Sequence, residues 1–489
     1  MNVTDNQIEA IVDRVVDKLT SAAAAVENRS SFLTGPVQPA SRHEAGSALA
    51  SAAGDRGCFP DIASACHATR KAFSDYREVP VEQRKKIIAA IRKICLDHLP
   101  ELARRAVAET GLGRFEDKLK KNRLAIEKTP GVEDLEPEAF SGDDGLTIQE
   151  RAPFGVIGSI TPCTNPSETI ICNGIGMIAG GNAVVFNPHP SAKATAIYTV
   201  NLLNRAVISA GGPANLFTTI TTPTIESAQE LMKHPDIRLL VVTGGPAVVA
   251  VAMKSGKRVI AAGPGNPPVV VDETADLQKA AAEIVASAGC DNNIICVVEK
   301  EIIVTDGAAD GLKKALLQSG AIELGGHQAR QLEKIVLNGD GSPNKAWVGK
   351  DIQVILRQIG MEVAPEKRIA IVETGADHPF ATEELLMPVL PVIRVRDIGA
   401  AIELAYQLEH GCFHTAVIHS RNIDHMQRMA KKMNTTIFVK NGMALAGLGL
   451  GGEGYTSFTI ASPTGEGLTA ARHFTRARRC TLSGYFRIT

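Results

Sequence analysis

The sequence lacks a net charge of either sign, a long apolar run and a short repeated spacing of cysteine. Its formal net charge is -1 at pH 7, so nucleic acid and anionic membrane surfaces are poor candidates for a partner. No apolar run reaches the roughly 18 to 20 residues of a membrane span, and no cationic signal peptide opens the chain. The nine cysteines are scattered, which argues against a disulfide framework and a tetrahedral zinc site. These absences indicate a reducing, cytoplasmic compartment.

The chain is long enough for two or three domains that each bury their own core, with 489 residues of which 44% are hydrophobic. Residues 58–130 have a helical pattern. Beyond Arg151, short apolar segments alternate with helical stretches, and a second alternating block runs from about 267 to 438. The first strand candidates are 155–160, 182–186 and 239–242, and the second block begins with the strand candidate 268–271. This alternation predicts an α/β fold with two lobes, largely parallel sheets and a cleft between them.

The first 57 residues differ from the rest. Residues 1–19 carry apolar side chains at helical spacing, which predicts an amphipathic helix, and Thr4 with Gln7 has the form of a capping box. Residues 20–57 are rich in Ser, Ala, Gly and Pro, which is typical of a flexible linker. A short helix on a tether either docks on a partner or packs back on its own domain.

A glycine loop joins the third strand candidate to a helix predicted over 247–254. It consists of Thr243, Gly244, Gly245 and Pro246. Glycines allow backbone amides to approach a pyrophosphate at the positive end of a helix. The same pattern also occurs in simple tight connections, so nucleotide binding and a structural turn are both consistent with it.

Two more loops follow strand candidates. In the loop 161–166, the side-chain amide of Asn165 can donate to a developing oxyanion, or it can cap a turn between prolines. The loop that contains Pro188, His189 and Pro190 has too little ionisable chemistry to assign by itself. Neither loop identifies a reaction from its residues alone.

Cys296 ends the run that begins at Asp291. A lone cysteine among isoleucines and valines is either a buried small hydrophobe or a nucleophile, and a nucleophilic thiol must be activated below its free pKa of about 8.5. The glycine-rich stretch 261–266 upstream carries no carboxylate. If Cys296 is a nucleophile, the acyl group that it holds should therefore pass to something other than water.

These segments together resemble the aldehyde dehydrogenase superfamily. Within it, the chain is similar to the CoA-acylating aldehyde dehydrogenases of bacterial microcompartments that degrade ethanolamine or 1,2-propanediol. The resemblance covers essentially the whole chain. The motifs that carry it are TGLGRFEDKLKKN (110–122), TPGVEDL (129–135), APFGVIGSITPCTNPSETI (152–170), NPHPSAK (187–193), VVTGGPAVV (241–249), GPGNPPVVVDETADL (263–277), DNNIIC (291–296), EELLMPVLPV (383–392), HTAVIHS (414–420) and the glycine-rich segments within 437–467.

The resemblance implies a role for three catalytic residues. Cys296 is expected to attack the aldehyde carbonyl, and Asn165, with the backbone amide of Cys296, to hold the oxyanion. His414 is expected to deprotonate or orient CoA, or to serve only as a structural histidine at a turn. NAD is the expected cofactor, with the glycine loop on its pyrophosphate and Glu384 on the nicotinamide ribose. The residues assigned to NAD are Thr243, Gly244, Gly245, Pro188, His189, Pro190 and Glu384.

Ala262 distinguishes two kinds of product. Hydrolytic members of the superfamily have a glutamate at this position that activates water, and a methyl group cannot act as a general base. The thioester on Cys296 should therefore survive until CoA takes the acyl group. The expected activity is oxidation of acetaldehyde or propionaldehyde with NAD and CoA to acyl-CoA and NADH. The alternative is a hydrolytic NAD(P)-dependent enzyme that releases the free acid.

The resemblance also implies a domain organisation and partners. The leader helix is expected to bind shell or core proteins of a microcompartment in the cytoplasm. The segments 135–150 and 466–489 are expected to form a β-arm that pairs with a second copy of the chain, which gives a dimer or tetramer. The expected segments are 1–19 for the encapsulation helix, 20–57 for the linker, 58–134 and 151–262 for the cofactor domain, 263–465 for the catalytic domain, and 135–150 with 466–489 for the arm.

Overall fold

The computed structural model describes residues 57–487. The helix predicted for residues 1–19 and nearly all of the predicted linker, 20–57, lie outside the described residues. Within residues 57–487, no helix is both long and apolar enough to cross a membrane. Strands and helices alternate over most of this range, as the sequence pattern predicts.

The strands of the described chain form two large sheets and two small ones. In chain order they are β1 (Cys58–Phe59), β2 (Glu138–Gly142), β3 (Gly145–Pro153), β4 (Val156–Thr161), β5 (Ala183–Pro188), β6 (Phe217–Ile220), β7 (Ile237–Thr243), β8 (Arg258–Ala262), β9 (Pro268–Val271), β10 (Glu301–Thr305), β11 (Ala321–Glu323), β12 (Ile369–Glu373), β13 (Val389–Val395), β14 (Thr415–His419), β15 (Ile437–Lys440), β16 (Ile460–Ala461), β17 (Gly467–Leu468) and β18 (Thr475–Ser483).

The α-helices of the described chain precede and connect these strands. They are α1 (Ile62–Tyr76), α2 (Val81–Asp97), α3 (Leu99–Thr110), α4 (Phe115–Lys128), α5 (Pro166–Ala179), α6 (Lys193–Ser209), α7 (Ile225–Lys233), α8 (Pro246–Met253), α9 (Leu277–Ala288), α10 (Asp306–Gln318), α11 (Gly326–Val336), α12 (Ile352–Arg357), α13 (Pro379–Thr382), α14 (Ile398–Leu408) and α15 (Ile423–Met433).

Capping residues define several of these helices. Asp61 precedes α1 and accepts the backbone N–H of Ser64 at 2.7 Å, and Asp397 caps α14 by accepting from Ala400 at 2.9 Å. Such bonds satisfy amides that have no partner within the helix. Gly111 ends α3 at φ 65°, in the left-handed region that glycine tolerates best.

The first sheet is parallel, in the order β1-β6-β5-β4-β7-β8. Along β7, Leu239 and Val241 face the core formed with α2 and α4–α6, while Leu240 and Val242 face the core formed with α1, α7 and α8. A sheet that is covered on both faces needs apolar residues at every strand position, and this explains the continuous apolar run 239–242.

The second sheet is also parallel, in the order β11-β12-β13-β10-β9-β14-β15. Val269 and Val271 of β9 pack with α9 and α10, and Val270 packs with α14 and α15. The two sheets confirm the predicted α/β class with two lobes. Residues 456–474 return to the first lobe, where Phe458 and Phe474 join its core.

A three-stranded antiparallel sheet, β18-β3-β2, extends from the lobes. Its strands β2 and β18 lie within the two segments that the sequence predicts as an arm, 135–150 and 466–489, and β3 continues beyond the first of them to Pro153. Phe140, Ile148 and Leu482 are 53%, 39% and 44% exposed on it. Apolar side chains at this degree of exposure on a thin sheet leave a surface available for another chain.

The two large sheets face the predicted site with opposite ends of their strands, the carboxyl ends in the first sheet and the amino ends in the second. In the first sheet, the loops that matter follow the strands, and Thr161 lies opposite Pro188 while Thr243 lies opposite Ala262. In the second sheet, the loops that carry the predicted site residues precede the strands β9, β10, β13 and β14. Because parallel strands bring like ends together, each set of loops collects at one edge of its sheet.

Candidate active site

The loop that leads to Cys296 has an unusual backbone. Asp291, Asn292 and Asn293 have φ values of 50°, 55° and 66°. The left-handed region is disfavoured for residues with a β-carbon, although Asp and Asn tolerate it best. Three such residues in succession persist only where the surroundings hold them, and clusters of this kind are typical of functional sites.

The side chains of this loop supply that support. Asp291 accepts the backbone N–H of Arg114 at 2.8 Å and forms an ion pair with Lys118 at 2.9 Å. The amide nitrogen of Asn292 donates to the carbonyl oxygen of Gly349 at 2.9 Å. The loop is therefore anchored to both α4 and a segment of the second lobe.

Lys300 fixes the last part of the same loop. Its Nζ donates to the backbone and side-chain oxygens of Asn293, both at 2.7 Å, and to the carbonyl oxygen of Ile295 at 3.1 Å. Burial lowers the pKa of Lys300 to about 8, although the charge of Glu384 opposes this effect. The ammonium group thus lies directly behind the residue that precedes Cys296.

Cys296 is partly exposed as a residue, whereas its sulfur lies in a buried environment. Burial raises its pKa to about 12; the negative charge of Glu384 adds to the rise, and the charges of Lys300 and Lys121 oppose it. The thiol is therefore protonated at neutral pH. Its proton must leave as the sulfur bonds to a substrate carbon.

Asn165 lies immediately before α5 and is 6% exposed. Its Oδ1 accepts from Nζ of Lys121 at 2.5 Å, and its Nδ2 donates to Oγ1 of Thr164 at 3.2 Å. The charge of Lys121 also acts on the Cys296 thiol. Lys121 thus contacts Asn165 directly and acts on Cys296 through its charge, although Asn165 follows β4 and Cys296 precedes β10.

His414 lies just before β14, with Gly265 between its ring and the backbone of Cys296. A β-carbon added to Gly265 would lie 2.8 Å from Cγ of His414 and 3.2 Å from the carbonyl oxygen of Cys296, so only glycine fits between them. The ring is 1% exposed and its Nδ1 contacts Oγ1 of Thr415 at 2.9 Å. Burial, with a contribution from Lys300, lowers the pKa of His414 to about 4. Its Nε2 has no hydrogen-bond partner among the described residues, and a neutral ring can accept a proton there.

Glu384 completes the group around Cys296. Burial raises the pKa of its carboxyl to about 7, and the charge of Lys300 and a hydrogen bond from the backbone of Gly265 oppose the rise. A carboxylate in this position is a suitable acceptor for ribose hydroxyls. The residue that the sequence assigns to the nicotinamide ribose therefore lies within the electrostatic reach of the thiol.

The glycine loop begins α8 at the carboxyl edge of the first sheet. Gly244 donates its N–H to the carbonyl oxygen of Ala262 at 3.3 Å, and Oγ1 of Thr243 contacts Oγ1 of Thr459 at 2.7 Å. A β-carbon added to Gly245 would meet no atom within 4 Å, so the backbone there faces open space. A dinucleotide pyrophosphate fits this position, because it can approach the backbone at a helix N-terminus.

Pro188, His189 and Pro190 lie at the same sheet edge rather than beside Cys296. Pro188 is the last residue of β5, and the backbone N–H of His189 donates to the carbonyl oxygen of Thr161 at 2.9 Å. The imidazole Nδ1 accepts the backbone N–H of Ser191 at 3.2 Å. These residues and the glycine loop therefore lie at the carboxyl ends of β5 and β7, which are separated by β4.

Several buried charges at the site were not singled out from the sequence. Lys118 and Lys121 of α4 and Glu168 of α5 are at most 1% exposed. The one local signal is that these two lysines, three residues apart, lie on the helix face that carries Leu124 and Ala125. Within residues 57–487, no group of three or more His, Cys, Asp or Glu side chains is arranged to hold a metal ion.

Comparison with known proteins places the chain. Residues 39–333 match the model of the aldehyde dehydrogenase family. The acetylating acetaldehyde dehydrogenase EutE of Salmonella typhimurium is 52% identical over 445 residues, which are 90% of this chain and 95% of that protein.

Two solved structures share the fold. The Rhodopseudomonas palustris propionaldehyde dehydrogenase, with bound CoA and an acylated cysteine, has a TM-score of 0.87 at 48% identity and covers 88% of this chain and 98% of that chain. A propionaldehyde dehydrogenase from the fucose utilisation microcompartment of Clostridium phytofermentans has a TM-score of 0.87 at 47% identity, with coverage of 88% and 100%. The resemblance found in the motifs is confirmed, and the chain belongs to the aldehyde dehydrogenase family.

Proposed function

We propose that the protein oxidises a short aliphatic aldehyde, acetaldehyde or propionaldehyde, with NAD and passes the acyl group to CoA. The observation that carries this proposal is Ala262, a buried methyl group at the end of β8 where hydrolytic relatives have a water-activating glutamate. The acetylating and CoA-binding relatives support the same reaction.

Cys296, Asn165 and His414 carry the covalent chemistry. The sulfur of Cys296 bonds to the aldehyde carbon and releases its proton to solvent, while the amide of Asn165 donates to the oxygen that becomes negative. Bound NAD would supply the hydride acceptor for that carbon, and the acyl group would then remain on Cys296 as a thioester. The thiol of CoA then gives its proton to Nε2 of His414 and displaces Cys296. The sulfur of Cys296 recovers that proton from His414 as acyl-CoA leaves.

The two lobes divide these tasks. We assign the first lobe, with Thr243, Gly244 and Gly245 on the pyrophosphate and the segment 188–190 beside them, to cofactor binding. The second lobe supplies Cys296 and His414, and its Glu384 holds the nicotinamide ribose. We assign residues 456–474 to the cofactor-binding lobe as well, although the resemblance implies the bounds 263–465 and 466–489, because Phe458 and Phe474 pack in the core of the first lobe.

Product analysis tests the acylating reaction. With aldehyde, NAD and CoA, we expect acyl-CoA and NADH in equal amounts. Without CoA, we expect a single burst of about one NADH per subunit and then a stop, because no group replaces the missing general base. Chromatography of the products and NADH absorbance measure both quantities. Continued formation of free acid without CoA would contradict the proposal and favour the hydrolytic alternative.

We propose further that the enzyme works inside a bacterial microcompartment. The amphipathic pattern of residues 1–19 and the microcompartment source of one similar structure support this location. We expect deletion of residues 1–19 to leave kcat and KM unchanged and to abolish co-purification with shells. The matched control replaces charged residues on the polar face, Glu9 and Asp13, with alanine and should retain encapsulation. Unchanged shell association of the deletion variant would contradict this assignment.

The arm is proposed to join subunits. Its exposed apolar residues and the strand edges of β2 and β18 need a partner, and a second copy of the chain provides one. We expect light scattering to give the mass of a dimer or tetramer, and Leu482→Asp to shift it toward the monomer because a charge would be buried in the interface. Arg479→Asp is the control, because Arg479 is exposed on the opposite face of β18. A monomeric unmodified protein would rule out this role.

A further inference from the structure

The side-chain amide of Asn165 has a buried partner that the reaction scheme above does not use. We propose that Lys121 is a positioning residue, whose ammonium group fixes the Asn165 amide so that its nitrogen faces the aldehyde oxygen. This inference rests on the proposed function, because it takes Asn165 as the oxyanion donor.

The chemistry of the contact determines the orientation of the amide. An ammonium group donates hydrogen bonds and accepts none, so the Asn165 atom at 2.5 Å from Nζ of Lys121 must be the oxygen. The amide nitrogen therefore lies on the opposite side. It carries two hydrogens and gives one to Oγ1 of Thr164, so the other is available to a substrate oxygen.

The terminal torsion of Asn165 is what needs fixing. Its backbone is already held, because its carbonyl oxygen accepts the N–H of Thr169 at 3.1 Å and the hydroxyl of the same residue at 2.7 Å. The torsion of an amide group is broad and roughly two-fold, so the backbone alone does not choose between nitrogen and oxygen. A flipped amide would present its oxygen to the developing oxyanion and would repel it.

Lys121 can orient the Asn165 amide because its own position is fixed by ion pairs and it carries a positive charge. It is 1% exposed, and its Nζ pairs with Asp291 and lies 3.6 Å from Glu168. Burial favours the neutral amine, but the two carboxylates outweigh burial and raise the pKa of Lys121. With Lys118, they form a buried group of two positive and two negative charges, in which each charge has an opposite partner.

A double-variant cycle tests the proposal. Lys121→Met should lower kcat for NADH formation by about 10²-fold and change the KM for aldehyde by less than about 3-fold, because the missing interaction acts in the transition state. Asn165→Ala should lower kcat at least as much. The double variant should lose no more than Asn165→Ala alone, because Lys121 has no amide left to orient.

Lys118→Met is the matched control. Lys118 lies one turn earlier on α4, is fully buried and also pairs with Asp291, but it donates to the backbone carbonyl oxygen of Thr164 instead of the Asn165 amide. Its effect on kcat should multiply with that of Asn165→Ala. If Lys121→Met melts below the assay temperature, the variant Lys121→Met with Glu168→Gln takes its place in the cycle. This variant removes one charge of each sign, and Glu168→Gln alone is its reference.

The outcomes separate this inference from the proposed function. Losses that multiply in Lys121→Met with Asn165→Ala would overturn the inference, because Lys121 would then act independently of the Asn165 amide. An Asn165→Ala variant with unchanged kcat would remove the oxyanion role of Asn165 itself. A loss in Asn165→Ala that Lys121→Met does not increase supports both.

Discussion

Cys296→Ala is expected to abolish NADH formation from aldehyde, NAD and CoA, with a loss of at least about 10⁴-fold in kcat. The reason is that every later step depends on the bond between the sulfur and the aldehyde carbon. Without that bond, the carbon does not become tetrahedral, no hydride leaves it, and no thioester forms for CoA to attack. Mass spectrometry of the protein after aldehyde and NAD, without CoA, should show an acyl adduct in the unmodified enzyme and none in the variant.

Cys290→Ala is the control for this result. Cys290 is a buried thiol on the same loop, six residues earlier, and burial raises its pKa to about 12 as well. A high resting pKa and the charge of Lys121 are thus shared by both thiols, whereas only Cys296 of the two is partly exposed and lies under the charge of Lys300. Cys290→Ala should keep the acyl adduct and most of the activity. An adduct that persists in Cys296→Ala would assign the thioester to another residue.

The fold was largely predictable because apolar pattern and turn residues determine it locally. The strand predicted at 268–271 has the same bounds in the structure, and the helix predicted over 247–254 is α8, Pro246–Met253. Both segments are continuous apolar runs next to glycine or proline, so the apolar pattern and the flanking turn residues predict the same element. The order of strands across each sheet had no such local signal, since it follows from how distant segments pack.

The buried charges of the site could not be predicted either, because their pairing also depends on how distant segments pack. Helix α4 contains five lysine or arginine residues, a composition typical of a solvated surface, yet Lys118 and Lys121 are buried. Their burial is tolerable only because Asp291 and Glu168 arrive from other elements to pair with them. The left-handed run that begins at Asp291 depends on these same contacts. Motif resemblance identified Cys296, Asn165 and His414 as candidates, but it did not identify what holds them.

His414→Ala is expected to separate the two halves of the reaction. The first half, which forms the thioester and NADH, should keep its burst amplitude and rate, because His414 takes no proton in it. Transfer to CoA should slow by about 10² to 10⁴-fold, because the CoA thiol loses the base at Nε2. Rapid mixing with limiting enzyme measures the burst, and chasing the isolated acyl-enzyme with CoA measures the transfer.

The pH dependence of the transfer to CoA tests the same role of His414. Because burial lowers the pKa of His414 to about 4, the ring stays neutral and able to accept a proton down to roughly pH 5, and this ability is lost as the pH falls through 4. A step near pH 6.5, the value of an ordinary histidine, would contradict a buried base. His419→Ala is the control, since His419 is on the same strand, is 2% exposed and has a pKa that burial lowers to about 4. It ends β14, whereas His414 precedes it, so its loss should affect stability and leave the burst and the transfer intact. Loss of the burst in His414→Ala would instead place that ring in the chemistry of Cys296 itself.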